Sequence, residues 1–155
     1  MKAGEVYTSL GLMSGTSMDG VDAAVIRTDG ERVIERLGFQ SAPYPKRFRD
    51  QIATCLNRRG DPDGVLAETE HAITQIHANL VKSFGGGIDV IGFHGQTIWH
   101  DPAQGKTLQV GNARFLANMT GLPVVHDFRS NDMAHGGQGA PLIPVYHRAI
   151  VETKN

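Results

Sequence analysis

The amino-acid sequence predicts an α/β fold in which three antiparallel strands precede alternating helices and strands. Short alternating segments separated by glycine-bearing turns fill the first part of the chain, a pattern typical of antiparallel strands. Apolar residues then recur at intervals of three or four, as they do on the buried face of a helix. Two later apolar runs, residues 88–93 and 122–125, have the composition of buried parallel strands.

The first three strands are predicted at residues 7–13, 21–27 and 32–41. A polar turn at residues 14–20 joins the first two strands, and the pair Asp29-Gly30 forms the turn before the third. We therefore expect an antiparallel meander.

Two helices are predicted next. Apolar residues four positions apart indicate the first helix, which ends at Gly60 and buries Phe48, Ile52 and Leu56. Asp61 as N-cap and Pro62 at the first helical position predict the start of the second helix, which stops before the three glycines at 85–87. Its buried stripe is expected to comprise Leu66, Ile73, Ile76, Leu80 and Phe84.

The rest of the chain alternates strands and helices. The strand at residues 88–93 is expected to end at His94, and residues 107–110 form a short extended piece. Asn112 is placed to cap a helix that closes at Gly121. The strand at 122–125 and a helix at 141–151 complete an order typical of a ribonuclease-H-like layer. The prediction is a mixed five-stranded sheet with helices on both faces.

Composition limits the function classes. The chain has 155 residues, 40% of them hydrophobic, which suffices for one domain with its own core. A formal charge of -1 gives no electrostatic argument for binding nucleic acid or an anionic membrane. No apolar run approaches the ~20 residues of a membrane span, and no secretory signal pattern is seen, so a cytoplasmic location is expected. The lone Cys55 is expected to be buried.

The first candidate site is the turn between the first two strands. Its glycines and hydroxyls offer several donors to one anion, which is how proteins hold phosphate. It is not a Walker loop, because no Lys follows the last glycine. Asp19 and Asp22 could hold Mg²⁺ through water. The alternative is a plain polar hairpin turn.

Polar residues that follow the strand at 88–93 form the second candidate site. His94, Gln96 and Thr97 could hydrogen-bond a sugar at this edge of the sheet. The alternative is that His94 caps the sheet edge and bonds only to the backbone.

The third candidate site follows the strand at 122–125. Arg129 suits a carboxylate or phosphate, and Asp132 could accept a hydrogen bond from a hydroxyl. The alternative is a surface ion pair of Arg129 with Asp127 or Asp132. A zinc site and a serine hydrolase are disfavoured, because the chain has neither H-E-x-x-H, nor a Cys pair, nor a G-x-S-x-G elbow.

Three long motifs carry a family resemblance. They are GLMSGTSMDGVDAAVI at 11–26, GFHGQTIWHDP at 92–102 and LQVGNARFLANMTGLPVVHDFRSNDMAHGGQGAPLIP at 108–144. Over residues 10–147 the chain closely resembles the anhydro-N-acetylmuramic acid kinases, which belong to the sugar kinase, Hsp70 and actin superfamily with its actin-like ATPase fold.

The resemblance implies an ATP- and Mg²⁺-dependent enzyme that opens the ring of 1,6-anhydro-N-acetylmuramic acid with water and phosphorylates its 6-oxygen. The product is N-acetylmuramic acid 6-phosphate, in murein recycling, and the enzyme is expected to be a homodimer. The matching ATP-binding residues are Gly15, Thr16, Ser17, Met18, Asp19, Gly20, Val21 and Asp22. The residues expected near the sugar are His94, Gln96, Thr97, Asn112, Arg129 and Asp132, and those near the metal are Asp19 and Asp22.

Two departures from the family pattern bear on the site. The superfamily places an Asp two residues before the glycine of D-x-G-T, and Met13 stands there in this sequence. Family members are more than twice as long, so residues 1–147 are expected to form the N-terminal lobe and 148–155 the start of a connection to a second lobe. The aspartate that activates water is expected in that second lobe. The alternative function is a catalytically inactive module that binds a sugar or a nucleotide.

Overall fold

A three-stranded meander begins the chain in the computed structural model, which describes residues 4–153. The strands are β1 Tyr7–Ser14, β2 Gly20–Thr28 and β3 Val33–Pro43. They pair antiparallel, with Leu10 opposite Val25 and Ala23 opposite Gln40. The predicted meander is confirmed.

Helices and further strands alternate after the meander. The elements are α1 Lys46–Cys55, α2 Val65–Ser83, β4 Val90–Asp101, a 3-10 turn Pro102–Gln104, β5 Lys106–Val110, α3 Ala113–Thr120, β6 Val124–His126, α4 Ser130–Ala134 and α5 Pro144–Thr153. The sheet order is β3-β2-β1-β4-β5, and β6 also pairs with β4. Strand β4 runs parallel to β1 and to β6, while β5 runs antiparallel to its second half. This arrangement confirms the predicted ribonuclease-H-like layout.

The sheet has six strands instead of the predicted five. The strand at β4 does not end at His94 but continues to Asp101, because its second half pairs with β5 from Gln96↔Val110 to Asp101↔Lys106. Gly95 lies within this strand with a φ of 70°, and a Cβ there would lie 2.5 Å from the carbonyl oxygen of Val110. Glycine therefore lets the two strands approach each other closely.

The core lies between one face of the sheet and helices α1, α2 and α3. Alternate residues of β1 and β2 point into it, as the two-residue period of a strand requires. The fully buried members include Leu10, Val21, Ala23, Ile52, Cys55, Ile73, Ile91 and Leu116. The predicted burial of Cys55 is confirmed.

The opposite face of the sheet carries helix α5. Tyr146 of α5 lines a groove with Gly11, Ala24 and Ile26, residues that alternate with the core-facing ones. Helices thus lie on both faces, as predicted, but the second face is only partly covered, since the side chain of Phe39 on β3 is 65% exposed.

Two details of the first helices differ from the prediction. Leu56 is 38% exposed because α1 ends one residue before it, and Cys55 takes the buried position instead. Helix α2 begins at Val65, not at Pro62, with Gly64 in a left-handed conformation at the N-cap. Asp61 still caps the helix from a distance, because its carboxylate accepts hydrogen bonds from the amides of Leu66 and Ala67.

Three further details differ near the end of the chain. Strand β6 is not buried, since Val125 is 47% exposed and His126 is exposed. The short helix α4 was not predicted, and α5 begins three residues later than expected. Asn112 caps α3 and Gly121 closes it with a φ of 71°, as predicted.

The predicted lobe and connection extend beyond the described residues at both ends. Residues 1–3 and 154–155 lie outside the part of the chain that the structure describes. The division into a lobe at 1–147 and a connection at 148–155 stays a prediction. Within residues 4–153, no helix combines the length and apolar character that crossing a bilayer requires.

Candidate functional site

The turn between β1 and β2 has a defined backbone geometry. Its first carbonyl, that of Gly15, accepts a hydrogen bond from the amide of Met18 at 3.0 Å. Met18 has a φ of 54°, which is left-handed backbone that a side chain adopts at a cost. At the far end, the amide of Tyr44 donates to the carbonyl of Asp19 at 2.9 Å. The turn is thus tied to the chain segment that follows β3.

The outer surface of this turn carries hydrogen-bond donors. Thr16, Ser17 and Asp19 are exposed, and the amides of Thr16 and Ser17 have no acceptor among residues 4–153. The Ser17 hydroxyl donates to Asp19 Oδ1 at 2.7 Å, and this bond is the main cause that lowers the pKa of the Asp19 carboxyl. Unpaired amides beside a hydroxyl are the kind of donors that suit an anion such as phosphate.

Gly20 lets the turn enter β2 close to β3. A Cβ at this position would lie 2.5 Å from the carbonyl oxygen of Ala42 and 2.9 Å from the Cα of Pro43. Because both atoms belong to backbone, a side chain at this position would push the two strands apart. The glycine is required by close approach and not by its own dihedral angles.

Asp22 lies beside the position that the superfamily gives to an aspartate. It is exposed on β2 directly opposite Met13 of β1, and cross-strand partners have Cβ atoms about 4.5–5.5 Å apart. The Ser41 hydroxyl donates to Asp22 Oδ1 at 2.5 Å. No group of three or more potential metal-ligating side chains occurs in the described part of the chain. Asp19 bonds to Ser17 and Asp22 to Ser41, so each carboxylate keeps oxygen lone pairs of the kind that Mg²⁺ prefers as ligands.

Gln96 is buried, unlike the other residues predicted to contact a sugar. Its side chain has no exposed surface. Its Oε1 accepts a hydrogen bond from Ser14 at 2.6 Å, and its Nε2 donates to the carbonyls of Gly15 and Thr97 at 3.0 and 3.2 Å. In this structure Gln96 contacts the turn from below and does not reach a ligand surface.

His94 and Arg129 are brought together, as expected for residues at neighbouring strand ends. His94 Nδ1 donates to the carbonyl of Gly95 at 2.7 Å, so its Nε2 is free to accept from Arg129 Nε and Nη2 at 3.1 and 2.8 Å. Burial lowers the pKa of the His94 imidazole, and the charge of Arg129 lowers it further. His94 is therefore neutral at pH 7. The bond from Nδ1 agrees with the alternative that His94 bonds only to the backbone, whereas Nε2 departs from it by bonding to the Arg129 side chain.

Arg129 and Asp132 hold the glycine-rich loop that follows α4. Arg129 Nη1 donates to the carbonyl of Gly139 at 2.5 Å, and the Gly139 amide donates to Asp132 Oδ2 at 2.7 Å. A Cβ at Gly137 would overlap the Asp132 carboxylate. The alternative, a surface ion pair of Arg129 with Asp127 or Asp132, does not occur among the described residues, because Arg129 bonds to His94 and Gly139 and Asp132 bonds to Gly139.

A polar cleft lies beside His94. It has a volume of about 250 Å³ and is lined by Phe93, His94, Thr107, Leu108, Gln109, Gly111, His126, Asp127 and Ser130. This volume is slightly below the ~300–1,000 Å³ typical of small-molecule sites. His94 lines this cleft, and Gln96, two residues further along β4, contacts the turn between β1 and β2. The cleft and the turn therefore lie at neighbouring positions of the same strand.

Strand β5 adds two residues to this cleft that were not predicted from sequence. Gln109 Nε2 donates to the Thr107 hydroxyl at 2.6 Å and approaches Thr97 Oγ1 at 3.4 Å. The signal was the alternation at 107–110, which places Thr107 and Gln109 on one face of a strand. Asn112, by contrast, lies outside the cleft, and its side-chain oxygen caps α3 by accepting from the amide of Phe115 at 2.8 Å.

The fold defines an α/β domain with a ribonuclease-H-like sheet, in which the turn between β1 and β2 leaves two backbone amides exposed. Comparison with known proteins identifies the family. A family model for anhydro-N-acetylmuramic acid kinase matches residues 7–155, and the chain belongs to this family. The resemblance of the three motifs is thereby confirmed.

Several relatives are named anhydro-N-acetylmuramic acid kinase. Those from Rhizobium etli, Agrobacterium fabrum and Rhodopseudomonas palustris are 50%, 49% and 47% identical to this chain over 94%, 95% and 96% of its length. The matches cover 43%, 43% and 44% of those proteins, so the chain spans less than half the length of these relatives. A solved exopolyphosphatase-like protein aligns at 14% identity with a TM-score of 0.41, over 83% of this chain and 34% of that protein, which is too distant to bear on function.

Proposed function

We propose that this chain is the N-terminal lobe of a cytoplasmic kinase that transfers the γ-phosphoryl group of ATP to the 6-oxygen of 1,6-anhydro-N-acetylmuramic acid. The observation that carries the proposal is the exposed turn with unpaired amides, in a chain that belongs to the family of that name. The product is N-acetylmuramic acid 6-phosphate, formed in murein recycling. A homodimer, expected from the resemblance, is part of the proposal.

The turn holds the phosphates of the nucleotide. The amides of Thr16 and Ser17 and the hydroxyl of Thr16 face solvent and donate to phosphate oxygens, while the Ser17 hydroxyl donates to Asp19. The residues assigned to ATP are Gly15, Thr16, Ser17, Met18, Asp19, Gly20, Val21 and Asp22. Of these, Val21 is fully buried and acts only through its backbone or through packing.

Asp19 and Asp22 hold Mg²⁺ in this proposal. The bond from Ser17 lowers the pKa of Asp19, so its carboxylate is ionised at neutral pH. Asp22 takes the place of the aspartate that Met13 replaces, because the two residues face each other across the strands. The ion, when bound, neutralises charge that develops on the transferred phosphoryl group.

The sugar lies in the cleft beside His94, where Thr107, Gln109, His126 and Asp127 offer hydrogen-bonding groups. Arg129 has five N–H donors, of which three bond to His94 and Gly139 in this structure. The remaining donors are available to an anionic group such as the lactyl carboxylate of the sugar. The substrate assignments for His94, Thr97, Arg129 and Asp132 belong to this proposal, while Gln96 and Asn112 support the site through the backbone.

The overall reaction balances with one water molecule. The water oxygen bonds to C1 of the sugar as the bond between C1 and the 6-oxygen breaks, and the freed 6-oxygen takes the γ-phosphoryl group from ATP. ADP leaves, and the proton from water passes to a base that we place in the second lobe. Because the phosphoryl group must be held in line between donor and acceptor, two lobes have to enclose the substrates.

A chimera tests this function. Residues 1–155 are joined to the part of the Rhizobium etli relative that the match does not cover, and the product is incubated with ATP, Mg²⁺ and 1,6-anhydro-N-acetylmuramic acid. We expect a 6-phosphate, detected by mass spectrometry, with the intact relative as the positive control. A folded chimera that makes no product while the relative does would reject the assignment.

Asp19→Ala in the chimera tests the metal role. We expect a strong loss of activity with Mg-ATP but a change in stability within about 0.5 kcal/mol, because Asp19 is exposed. Thermal unfolding and kinetics at several Mg²⁺ concentrations separate the two effects. A lower melting temperature with unchanged kinetics would contradict the role. Calorimetry on the 155-residue chain tests the alternative of an inactive module. This alternative predicts that the chain binds a sugar or a nucleotide although the chimera makes no product.

A further inference from the structure

Three buried polar side chains are connected beneath the turn. Tyr44 is 4% exposed, and Ser14 and Gln96 are fully buried. The hydroxyls of Tyr44 and Ser14 lie 3.0 Å apart, Ser14 Oγ donates to Gln96 Oε1 at 2.6 Å, and Gln96 Nε2 donates to the carbonyl of Gly15 at 3.0 Å. These residues come from the loop after β3, from β1 and from β4, so the connection crosses part of the sheet beneath the turn, from the end of β3 to β4.

The direction of each hydrogen bond between these buried side chains is determined. Ser14 gives its one hydrogen to Gln96, so Tyr44 must donate to Ser14. Burial raises the pKa of Tyr44 to about 12, so the phenol keeps its proton at neutral pH. The Gln96 amide faces two carbonyl oxygens, those of Gly15 and Thr97, and the flipped amide would place an oxygen against both. The hydrogen bonds are therefore donated in one direction, from Tyr44 to Ser14, from Ser14 to Gln96 and from Gln96 to the Gly15 carbonyl.

The last of these hydrogen bonds, from Gln96 to Gly15, orients one peptide group of the turn. The Gly15 carbonyl accepts from Gln96 Nε2 and from the amide of Met18, which occupies both of its lone pairs. Because Gln96 is buried, this carbonyl points into the protein. A trans peptide is planar, with its N–H opposite its C=O, so the N–H of Thr16 points away from the core. This is one of the two amides that have no acceptor within residues 4–153.

We propose that Gln96 is a positioning residue that holds the Thr16 amide toward the phosphates of the nucleotide. The proposal rests on the function proposed above, which makes phosphate the ligand of the turn. Tyr44 serves the same end, because its hydroxyl donates to Ser14 and its amide bonds to Asp19 at the far end of the turn. The two ends of the turn are thus fixed from one buried set of residues.

Two substitutions at Gln96 remove its donors to different extents. Gln96→Met keeps the approximate volume but removes the donor, so the Gly15 carbonyl loses its buried partner. Gln96→Glu keeps the shape, but a buried carboxyl that faces two carbonyl oxygens is protonated, and its single O–H can donate to only one of them. We expect Gln96→Met to raise the dissociation constant of Mg²⁺ and the non-hydrolysable analogue AMP-PNP by about tenfold, and Gln96→Glu, which retains one donor, to raise it by less.

Thr69→Val is the matched control. Thr69 is also fully buried, but its hydroxyl donates to the carbonyl of Val65 and accepts from Gln51 and Cys55 at the contact between α1 and α2. This variant should lose melting temperature without losing nucleotide affinity. In the chimera, the Gln96 variants should raise the KM for ATP while the KM for the anhydro sugar stays within twofold of that of the unsubstituted chimera.

The outcomes distinguish this proposal from the proposed function. Amide hydrogen exchange at Met18, whose N–H donates to the Gly15 carbonyl, reports the orientation of this peptide group in the 155-residue chain without any ligand, and it should accelerate in both Gln96 variants. Equal losses of affinity in Thr69→Val and Gln96→Met, or unchanged exchange at Met18, would overturn the positioning role. A chain that binds no nucleotide but shows the change in exchange would refute the proposed function and the phosphate role of Gln96, leaving only its effect on the backbone.

Discussion

The fully buried His77 should make the folded chain sensitive to mild acid. It lies on α2, where its Nδ1–H donates to the carbonyl of Ile73 at 2.8 Å and its ring packs edge-on against Phe93 at 5.0 Å between centroids. Its Nε2 has no partner among the described residues. Burial lowers the pKa of this imidazole to about 4; the bond to Ile73 acts in the opposite direction, and the charge of His94 lowers it slightly further.

The sign of the effect follows from which state binds the proton. The unfolded chain takes up a proton at His77 near pH 6.5, whereas the folded chain resists protonation until about pH 4. The folded state is therefore fully favoured above pH 6.5 and loses stability as the pH falls from 6.5 toward 4. The full loss is on the order of 3 kcal/mol, of which about 2 kcal/mol is reached between pH 7 and pH 5.

Thermal unfolding of wild type and His77→Gln at pH 7 and pH 5 measures this contribution. Wild type should lose about 4–8 °C more than the variant between the two pH values. His71→Gln is the matched control, because His71 lies exposed on the same helix, against the ring of Phe115. An NMR titration of the His77 ring in wild type checks the pKa directly if the variant fails to fold. Equal pH dependence in wild type and His77→Gln, or a His77 ring that titrates near 6.5, would refute the reasoning.

Two further predictions concern backbone contacts. Gly20→Ala should lower the free energy of unfolding by about 1–3 kcal/mol in urea titrations, because its Cβ would press on the Ala42 carbonyl, while Gly60→Ala, in open space, should show no such loss. Asn112→Ala should cost about 1 kcal/mol by removing the N-cap of α3, and Asn118→Ala, exposed on the same helix, should change stability by less than about 0.5 kcal/mol. Equal effects within either pair would contradict its explanation.

The order of elements could be predicted from the sequence because local patterns determine it. The two-residue period of β1 and β2 and the capping residues Asn112 and Gly121 each leave a local pattern that the structure confirms. Element ends were less predictable, since they depend on contacts distant in sequence. Strand β4 continues past His94 only because β5 pairs with it.

The end of α1 shows the same limit on a smaller scale. Leu56 continues the four-residue apolar spacing, but the backbone there has left the helix, with a ψ of 136°. Cys55 fills the core in its place, one residue earlier. Periodicity gave the helix and its buried side, and the tertiary contact with α2 decided which of the two adjacent residues is buried.

The prediction agrees best with the structure where the chemistry of the candidate site lies in the backbone. The turn before β2 combines glycine, hydroxyl and carboxylate groups within a few residues, and the structure leaves its donors exposed. The cleft beside β4 was predicted only in part, because Thr107 and Gln109 come from a strand that pairs with β4 beyond His94, where the sequence predicts no strand. His94 and Arg129 were grouped correctly, since parallel strand ends meet at one sheet edge.

The polar residues chosen as ligands largely support the backbone instead. Gln96 bonds to the Gly15 carbonyl, Asp132 to the Gly139 amide and Asn112 to the first turn of α3. A buried or capping polar group must be paired inside the protein, so these side chains are already occupied. In the proposed function, the groups left for the nucleotide are main-chain amides and exposed side chains at the turn. A substitution cannot remove a main-chain amide, but it can remove the side chains beneath the turn that orient it. Substitution of the residues beneath the turn should therefore lower nucleotide affinity more than substitution of the residues that carry the exposed hydroxyls.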